Sequence, residues 1–531
     1  MPLIKTKINR NSESFQKNYL MMKEKTAELE QTMQKSLFQG EEKYLERNKK
    51  SGKLTARERI ELLLDQDSPF LELLPLAGIG GEGFGIGGTL VGGIGIVTGR
   101  LCTITANIGT IKGGSIDYTT LQKNLRINEI ALENELPLIN LVESAGANLP
   151  DQAKIFNYGG TAFREITRRS QKGIPTISIV FGNSTAGGAY VPGMSDYTIM
   201  IKNQAKVFLA GPPLVKMATN EIVDDEALGG ADMHSRISGV SDYIANDEQD
   251  GIRIARDIMA FIGVAAKEKS RQNTVEPVYD PEEILGLVSA DIRIPFDARE
   301  LIARITDGSE FSEFKPNYGT TLITGYAVIN GYRIGIIANN GVLFSEAANK
   351  GTQFIQLCNQ NNTPLLFLQN ITGFMVGRKY EEEGIIKHGA NMINAVSNST
   401  VPAITIIIGA SYGAGNYAMC GRAFKPRFLF SYPNSKIAVM GPEQLAGVME
   451  IIQREAAQKA GVSYDEEKGT FIKHKITSEA DKQSNAYFAT SQLWDDGVID
   501  PRETRNYLKL CLEVIHNTDI KGAEGYGVFR M

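Results

Sequence analysis

The stretch "IPTISIVFGNSTAGGAYVPGMSDY", Ile174 to Tyr197, runs an apolar strand-like segment into a cluster of small residues and then resumes as a helix. A second stretch, "VPAITIIIGASYGAGNYAMCGRAF" from Val401 to Phe424, does the same. A turn without side-chain bulk lets a ligand approach the main chain, and glycine can take conformations that aim successive N–H groups at one point. When such a turn opens a helix, the unpaired amides and the helix dipole stabilise a negative oxygen.

The two stretches are copies in register. Ile174 to Gly182 matches Val401 to Gly409 at a separation of 227 positions, and "LPLINLVESAGA" from Leu136 matches "TPLLFLQNITGF" from Thr363 at the same separation. Flanking matches drift slightly: "ANIG" at Ala106 with "ANNG" at Ala338, "KVFLAGP" at Lys206 with "KIAVMGP" at Lys436, "ARERIELLLDQDSPFLE" at Ala56 with "ARELIARITDGSEFSE" at Ala298. Such self-similarity marks a duplicated unit. From about residue 120 helical and strand patterns alternate, which predicts an α/β fold. The polar, proline-containing stretch 267–283 reads as a linker, dividing the chain into domains 1–266 and 284–531. Residues 14–64 carry amphipathic helical periodicity before a glycine-dense run, Gly78 to Gly99.

A chain of 531 residues with 42% hydrophobic content can bury two sizeable cores. With 56 basic against 61 acidic residues and no long single-sign blocks, nothing points to nucleic acid or an anionic membrane. The N-terminus lacks an apolar segment of signal-peptide length, and no run is long enough to span a bilayer, so a cytoplasmic protein is expected. Cys102, Cys358, Cys420 and Cys511 are far apart and fit reduced thiols. The four histidines are equally scattered, so no metal site is expected.

Four small-residue exits, "ESAGA", "NSTAGGAY", "NITGF" and "SYGAGNY", suggest one oxyanion hole in each half and a reaction between two carbonyl compounds. The blander reading is tight turns and close helix–strand packing. Gly78 to Gly83 satisfies GxGxxG, but more glycines follow it instead of a helix, which argues against a dinucleotide site. The serious rival is Gly409-Ala410-Ser411-Tyr412-Gly413, a GxSxG pattern after a strand, with His474 and His516 downstream as a serine hydrolase would require. A third possibility is a non-catalytic binding or assembly subunit.

The segments "TAGGAYVPGMSDY", "VFLAGPPLVKMATNE", "LGGADMHSRISGVSD", "LFLQNITGFMVG" and "SYGAGNYAMCGRAF" resemble the carboxyltransferase, or β, subunits of biotin-dependent acyl-CoA carboxylases, with methylcrotonyl-CoA carboxylase closest by motif. The resemblance implies tandem crotonase-like (ClpP/crotonase) domains, the first for acyl-CoA and the second for carboxybiotin. It implies a homohexamer whose active sites lie between subunits, and a biotin carboxylase/biotin carrier α subunit as partner. No "AMKM" biotin-attachment motif occurs in this chain.

Carried over residue by residue, the resemblance places the acyl-CoA hole at Gly187 and Gly188 with Gly146 and Ala147, and the biotin hole at Gly413 and Ala414 with Gly373 and Phe374. Lys112 and Lys216 become candidates for the CoA phosphates or are simply solvated lysines. Gly113, Gly114 and Ala186 belong to the same acyl-CoA surroundings. His234 is as readily structural as functional, and Tyr190 and Tyr417 line the two pockets or pack their domains. The segment Leu149 to Ser170 is shorter than in methylcrotonyl enzymes, with a tail more like propionyl enzymes, which bears on the acyl chain accepted.

Overall fold

A computed structural model of the chain describes residues 1–262, 273–289, 291–292 and 294–524. The chain forms two compact units, Thr32–Lys269 and Met1–Gln31 with Ser270–Met531.

In the Thr32–Lys269 unit the strands are β1 (Leu71–Glu72), β2 (Leu90–Val97), β3 (Arg100–Asn107), β4 (Leu138–Ser144), β5 (Thr176–Thr185), β6 (Tyr197–Ile201), β7 (Lys206–Phe208) and β8 (Tyr243–Ala245). They form one sheet in the order β1-β2-β3-β4-β5-β6-β8, with β7 beside the far end of β5. Pairing is antiparallel from β1 to β3 and parallel from β3 onward. The parallel strands are apolar on both faces, as crossover helices require. Their core includes Ile139, Leu141, Ile177, Ile179 and Phe181.

The other unit contains β9 (Ser312–Glu313), β10 (Leu322–Ile329), β11 (Tyr332–Asn339), β12 (Leu365–Ile371), β13 (Ala403–Tyr412), β14 (Phe428–Ser431) and β15 (Lys436–Ala438). The order is β14-β13-β12-β11-β10-β9, with β15 beside the end of β13. Each strand from β9 to β13 thus stands where β1 to β5 stand in the first unit, and the repeat read from the sequence is a repeat of topology. The first long strand-crossing helices, Tyr118–Glu133 and Ser345–Gln360, are also equivalent.

The division read from the sequence grouped residues 1–31 with the first half, but these residues belong to the second unit. The reason is a set of buried polar and apolar contacts. Thr6 Oγ1 and Lys7 N donate to the Glu300 carboxylate at 2.6 and 2.7 Å, and Arg10 pairs with Glu283. Phe15 lies against Gly286, where a side chain could not be accommodated. Of the expected linker, residues 267–272 lie outside the described residues. The remainder joins the same assembly: the Tyr279 hydroxyl donates to Ile4 O at 2.8 Å and accepts from Thr6 N at 3.1 Å. The helix Glu13–Ser36 contributes residues to both units.

Candidate functional site

In the Thr32–Lys269 unit, β4 and β5 run parallel, and their register slips between Val142 and Ser144 because β5 carries extra residues around Gly182. Such a bulge bends its strand and redirects the chain beyond it. After β4 the chain turns through Ala145-Gly146-Ala147. This turn is tied to the segment 113–116: Ala145 N donates to Gly113 O at 2.9 Å and Ile116 N to Gly146 O at 2.9 Å. Ser144 Oγ donates to Gly114 O at 2.8 Å and accepts from Gly146 N at 3.2 Å. Gly146 has φ +89, and a side chain on it would meet Thr185 O at 2.9 Å, so glycine is what allows the two exits to come together.

After β5 the chain reverses at Ala186, φ +55, and winds into a helical turn, Ala186–Ala189, continued by Tyr190–Gly193. The first amides of a helix have no partner within it. Gly187 has ordinary φ, and an added Cβ would find only Phe163 at 3.5 Å, so the fold itself does not demand glycine there. Gly188 is buried over Ser184 and Ser144. It also lines a cavity of about 60 Å³ that mixes apolar side chains, among them Leu90, Ile116, Val142 and Val191, with Thr105, Asn140 and Ser144. Tyr190 is half exposed, and its ring touches Phe163 at 5.7 Å between centroids.

The second unit builds the same object from different side chains. The β12–β13 register slips between Gln369 and Ile371. Leu343 N donates to Gly373 O at 3.2 Å and Met375 N to Leu343 O at 2.9 Å, repeating the bonds of Ile116, Gly146 and Asn148. Gly413, φ +56, opens the helix Gly413–Ala418. Nothing lies within 4 Å of a Cβ placed on Gly373, and Ala414 is exposed. The Phe374 ring packs on Gly389 of the helix Ile385–Asn398. Tyr417 is half exposed and touches Phe424 at 5.7 Å between ring centroids.

Superposed by the repeat, Ala186 corresponds to Gly413, Gly187 to Ala414 and Gly188 to Gly415. The pairs chosen from the sequence, Gly187 with Gly188 and Gly413 with Ala414, are therefore one position out of step. At Gly415, the counterpart of Gly188, packing requires glycine, since a side chain would meet Ile371 at 2.6 Å.

The remaining expected residues divide clearly. Gly113 and Gly114 have positive φ, and a side chain on Gly114 would run into the Glu143 carbonyl, so both support the turn after β4. Lys112, beside them, is exposed. Lys216 is exposed on the helix Pro212–Thr219 that comes after β7. His234 is buried with both nitrogens engaged, Nε2 2.6 Å from Val207 O and Nδ1 2.7 Å from Ser238 Oγ. A nitrogen facing a carbonyl must carry the proton, which leaves Nδ1 to accept from Ser238. His234 braces β7 and has no ring nitrogen left for substrate.

The hydrolase alternative fails on geometry. Ser411 is fully buried; its Oγ donates to Gln369 Oε1 at 2.5 Å and accepts from Asn416 Nδ2 at 2.7 Å. His516 instead bonds its own helix at Leu512 O, 2.8 Å away, and stacks on Tyr332. No group of three or more His, Cys, Asp or Glu side chains among the described residues is arranged to hold a metal ion. Among the described residues no helix is long and apolar enough to cross a membrane.

Sequence reasoning missed one buried cluster. Glu143, which precedes Ser144, pairs with Lys53 Nζ at 2.7 Å and with Arg59 Nη1 at 2.8 Å, and Arg59 continues to Glu248 at 2.8 Å. Burial opposes ionisation of Glu143, yet the Arg59 and Lys53 charges hold its carboxyl below the usual carboxylate range. The signal was available in the repeat, where Glu143 faces Asn370 and Arg59 faces Leu301.

Residues 47–524 match the carboxyl transferase domain family. A probable biotin-dependent acyl-coenzyme A carboxylase β2 subunit of Mycobacterium tuberculosis is 55% identical over the whole of both chains. The mitochondrial methylcrotonoyl-CoA carboxylase β chain of Arabidopsis thaliana is 48% identical, covering 99% of this chain and 91% of that one. The crystal structure of the Pseudomonas aeruginosa geranyl-CoA carboxylase β subunit superposes with a TM-score of 0.91 at 43% identity, covering all of both chains. With that likeness along its full length, the chain belongs to the carboxyl transferase family and is a carboxyltransferase β subunit of the biotin-dependent acyl-CoA carboxylases.

Proposed function

We propose that the chain moves a carboxyl group from carboxybiotin to an acyl-CoA whose acyl group is 3-methylcrotonyl or a close relative, with propionyl, acetyl and geranyl groups as the alternatives. Relatives named for methylcrotonyl-CoA and geranyl-CoA support this choice of acyl group. Biotin arrives on a biotin carboxylase/biotin carrier α subunit, and a cytoplasmic homohexamer pairs the first unit of one copy with the second unit of another.

The observation that carries the reading is the repeated pair of exits. Each unit opens a short helix next to a second small-residue turn, and each has a position, Gly187 or Ala414, where bulk is absent without the fold requiring it. Gly187 and Gly188, with Gly146 and Ala147, would hold the acyl thioester oxygen as its α- or γ-carbon becomes nucleophilic. Gly413 and Ala414, with Gly373 and Phe374, would hold the ureido oxygen of biotin as CO2 leaves. Both charges grow on oxygen, where each preorganised donor contributes about 3 kcal/mol. His234 and Ser411 are committed to structural bonds, which agrees with the biotin nitrogen serving as the base. Lys112 and Lys216 would meet the CoA phosphates.

The test is decarboxylation of malonyl-, methylmalonyl- and 3-methylglutaconyl-CoA by the full chain with free biotin, alongside Ala414→Trp. Biotin-dependent turnover that disappears in the variant supports the reading, and the best substrate identifies the acyl group. Turnover that survives Ala414→Trp places biotin elsewhere.

A further inference from the structure

We infer that Glu143, Arg59 and Glu248 are positioning residues for the acyl-side turn Ala145-Gly146-Ala147, a support that the biotin-side turn lacks. The inference rests on the proposed assignment of the two units to acyl-CoA and biotin.

Geometry makes Glu143 the keystone of that turn. Its side chain crosses two neighbouring segments: an added Cβ on Gly109, after β3, or on Gly182, in the β5 bulge, would meet the Glu143 carboxylate region at 2.6 Å. The backbone of Glu143 is fixed as well, since its N–H donates to Asn107 Oδ1 at 3.3 Å. The next residue, Ser144, holds both Gly114 O and Gly146 N. Fixing Glu143 therefore fixes the amides two and three residues later.

The partners that fix Glu143 come from distant parts of the unit. Arg59 lies on the helix Ala56–Leu63, is 1% exposed, and stacks 4.3 Å from the Phe181 ring centroid. Its Nε and Nη2 grip both oxygens of Glu248 at 2.9 and 2.8 Å. Glu248 starts the helix Glu248–Ile262 and also accepts from Leu54 N at 3.1 Å and Gln204 Nε2 at 2.5 Å. Gln204 Nε2 in turn reaches Phe181 O at 2.8 Å, on the bulge itself. The helix Ala56–Leu63, the helix Glu248–Ile262 and the bulge thus meet at Glu248 and Arg59, and Arg59 carries that junction to the Glu143 carboxylate beside the turn.

A purely stabilising role does not explain this arrangement. Buried ion pairs are close to neutral against well-packed apolar side chains, and the second unit shows such a replacement in place. There Leu301 stands for Arg59, fully buried, and Asn370 stands for Glu143. Among the described residues the Asn370 side chain reaches only its neighbouring strand, where its Oδ1 accepts from Ala410 N at 3.1 Å. The same backbone is built there without these charges. By contrast, the Arg57–Glu72 pair recurs as Arg299–Glu313 and marks what the fold itself retains.

The experiment installs the second unit's solution in the first, as Arg59→Leu with Glu143→Asn, beside Glu143→Gln and a control, Glu72→Gln, all in the full chain. Steady-state kinetics are measured with acyl-CoA and free biotin varied separately, together with thermal midpoints and hydrogen exchange of the turn amides. We expect Glu143→Gln and the double variant to lower kcat at least 10-fold, to leave KM for biotin within twofold, and to speed exchange at Ala145–Ala147. We expect the double variant to melt below the parent, because buried Glu248 loses its cation, and Glu72→Gln to keep its kcat. A double variant that is folded, has parental kcat and shows unchanged exchange overturns the inference. If the parent chain itself shows no carboxyl transfer, the assigned function fails, and exchange at the turn still decides the support on its own.

Discussion

The two units share a backbone and differ in what holds it. Both bulge one strand before the turn, both start the next helix with a left-handed residue, Ala186 or Gly413, and both set a half-exposed tyrosine beside it. Both use an asparagine, Asn107 or Asn339, to hold the N–H of the residue ahead of the turn, at 3.3 and 3.2 Å. Beneath the turn they diverge: the first unit buries a four-residue charge network, while the second uses Gln369, Asn370, Ser411 and Asn416 in a neutral hydrogen-bonded set. The lesson is that duplication preserved the path of the main chain, where the proposed oxyanion holes lie. The side chains that stiffen it were free to change.

The largest effect comes from filling the two open positions. Tryptophan at Gly187 or at Ala414 leaves the core untouched and should lower carboxyl transfer at least about 1000-fold, the scale of losing preorganised donors and the space before them. Calorimetry with acyl-CoA separates the units: binding is lost in Gly187→Trp and kept in Ala414→Trp. The opposite pattern would exchange the two assignments.

Arg59→Ala should destabilise the chain by about 3–5 kcal/mol, because Glu248 and Glu143 are left buried without their shared cation. Leu301→Ala, its counterpart, loses only apolar packing and should cost about 2–4 kcal/mol. Denaturant midpoints measure both. If Arg59→Ala costs less than about 1 kcal/mol, water has entered the first unit and the contrast between charged and neutral supports collapses.

Much of this comparison was legible in the sequence, because a duplication prints itself as a constant separation and a strand ending in small residues has few uses. The illegible part arises from distance and direction. Thr6 and Glu300, or Ile4 and Tyr279, meet across more than 270 positions with no periodic pattern, so the attachment of the N-terminal 31 residues to the second unit left no local trace. The GxSxG pattern around Ser411 describes composition, whereas nucleophilicity depends on where Oγ points, and here it points inward to Gln369. The register between the two small-residue turns is hidden in a similar way: an alanine at Ala186 adopts the left-handed conformation that Gly413 adopts, so glycine content alone does not align them.

A smaller effect tests a pair that the duplication did keep. Lys123 and Lys350 occupy equivalent helix positions, and burial lowers each ammonium to about 8. Lys123 Nζ donates to Leu90 O at 2.7 Å, whereas Lys350 Nζ has no hydrogen-bond partner among the described residues. A lysine whose folded value lies below its unfolded one, about 10.4, binds its proton more readily when unfolded. Stability should therefore rise as pH climbs from about 8 toward 10. Lys350→Met should remove part of that rise and stabilise the chain by about 1–2 kcal/mol at pH 7. Lys123→Met should share the flattened profile without the gain, since it strands the Leu90 carbonyl. Equal gains from both would mean that this hydrogen bond carries no net energy.

The smallest effect on turnover belongs to the two serines at the ends of the long central strands. Ser184 Oγ donates to Gly188 O at 2.9 Å, while Ser411 Oγ turns to Gln369. Ser411→Ala leaves Gln369 and Asn416 each short of a partner and should cost about 1–2 kcal/mol of stability. It removes nothing that faces substrate, so carboxyl transfer should stay within about threefold and a fluorophosphonate should not label the parent chain. Ser184→Ala loosens the carbonyl of a glycine whose own amide is proposed to face the acyl oxygen, so kcat should fall further there, by about threefold to tenfold, at a similar cost in stability. The ratio of the two kcat losses reads which serine supports a hole through its backbone and which only fills the core. A ratio near one would place both in the same structural role.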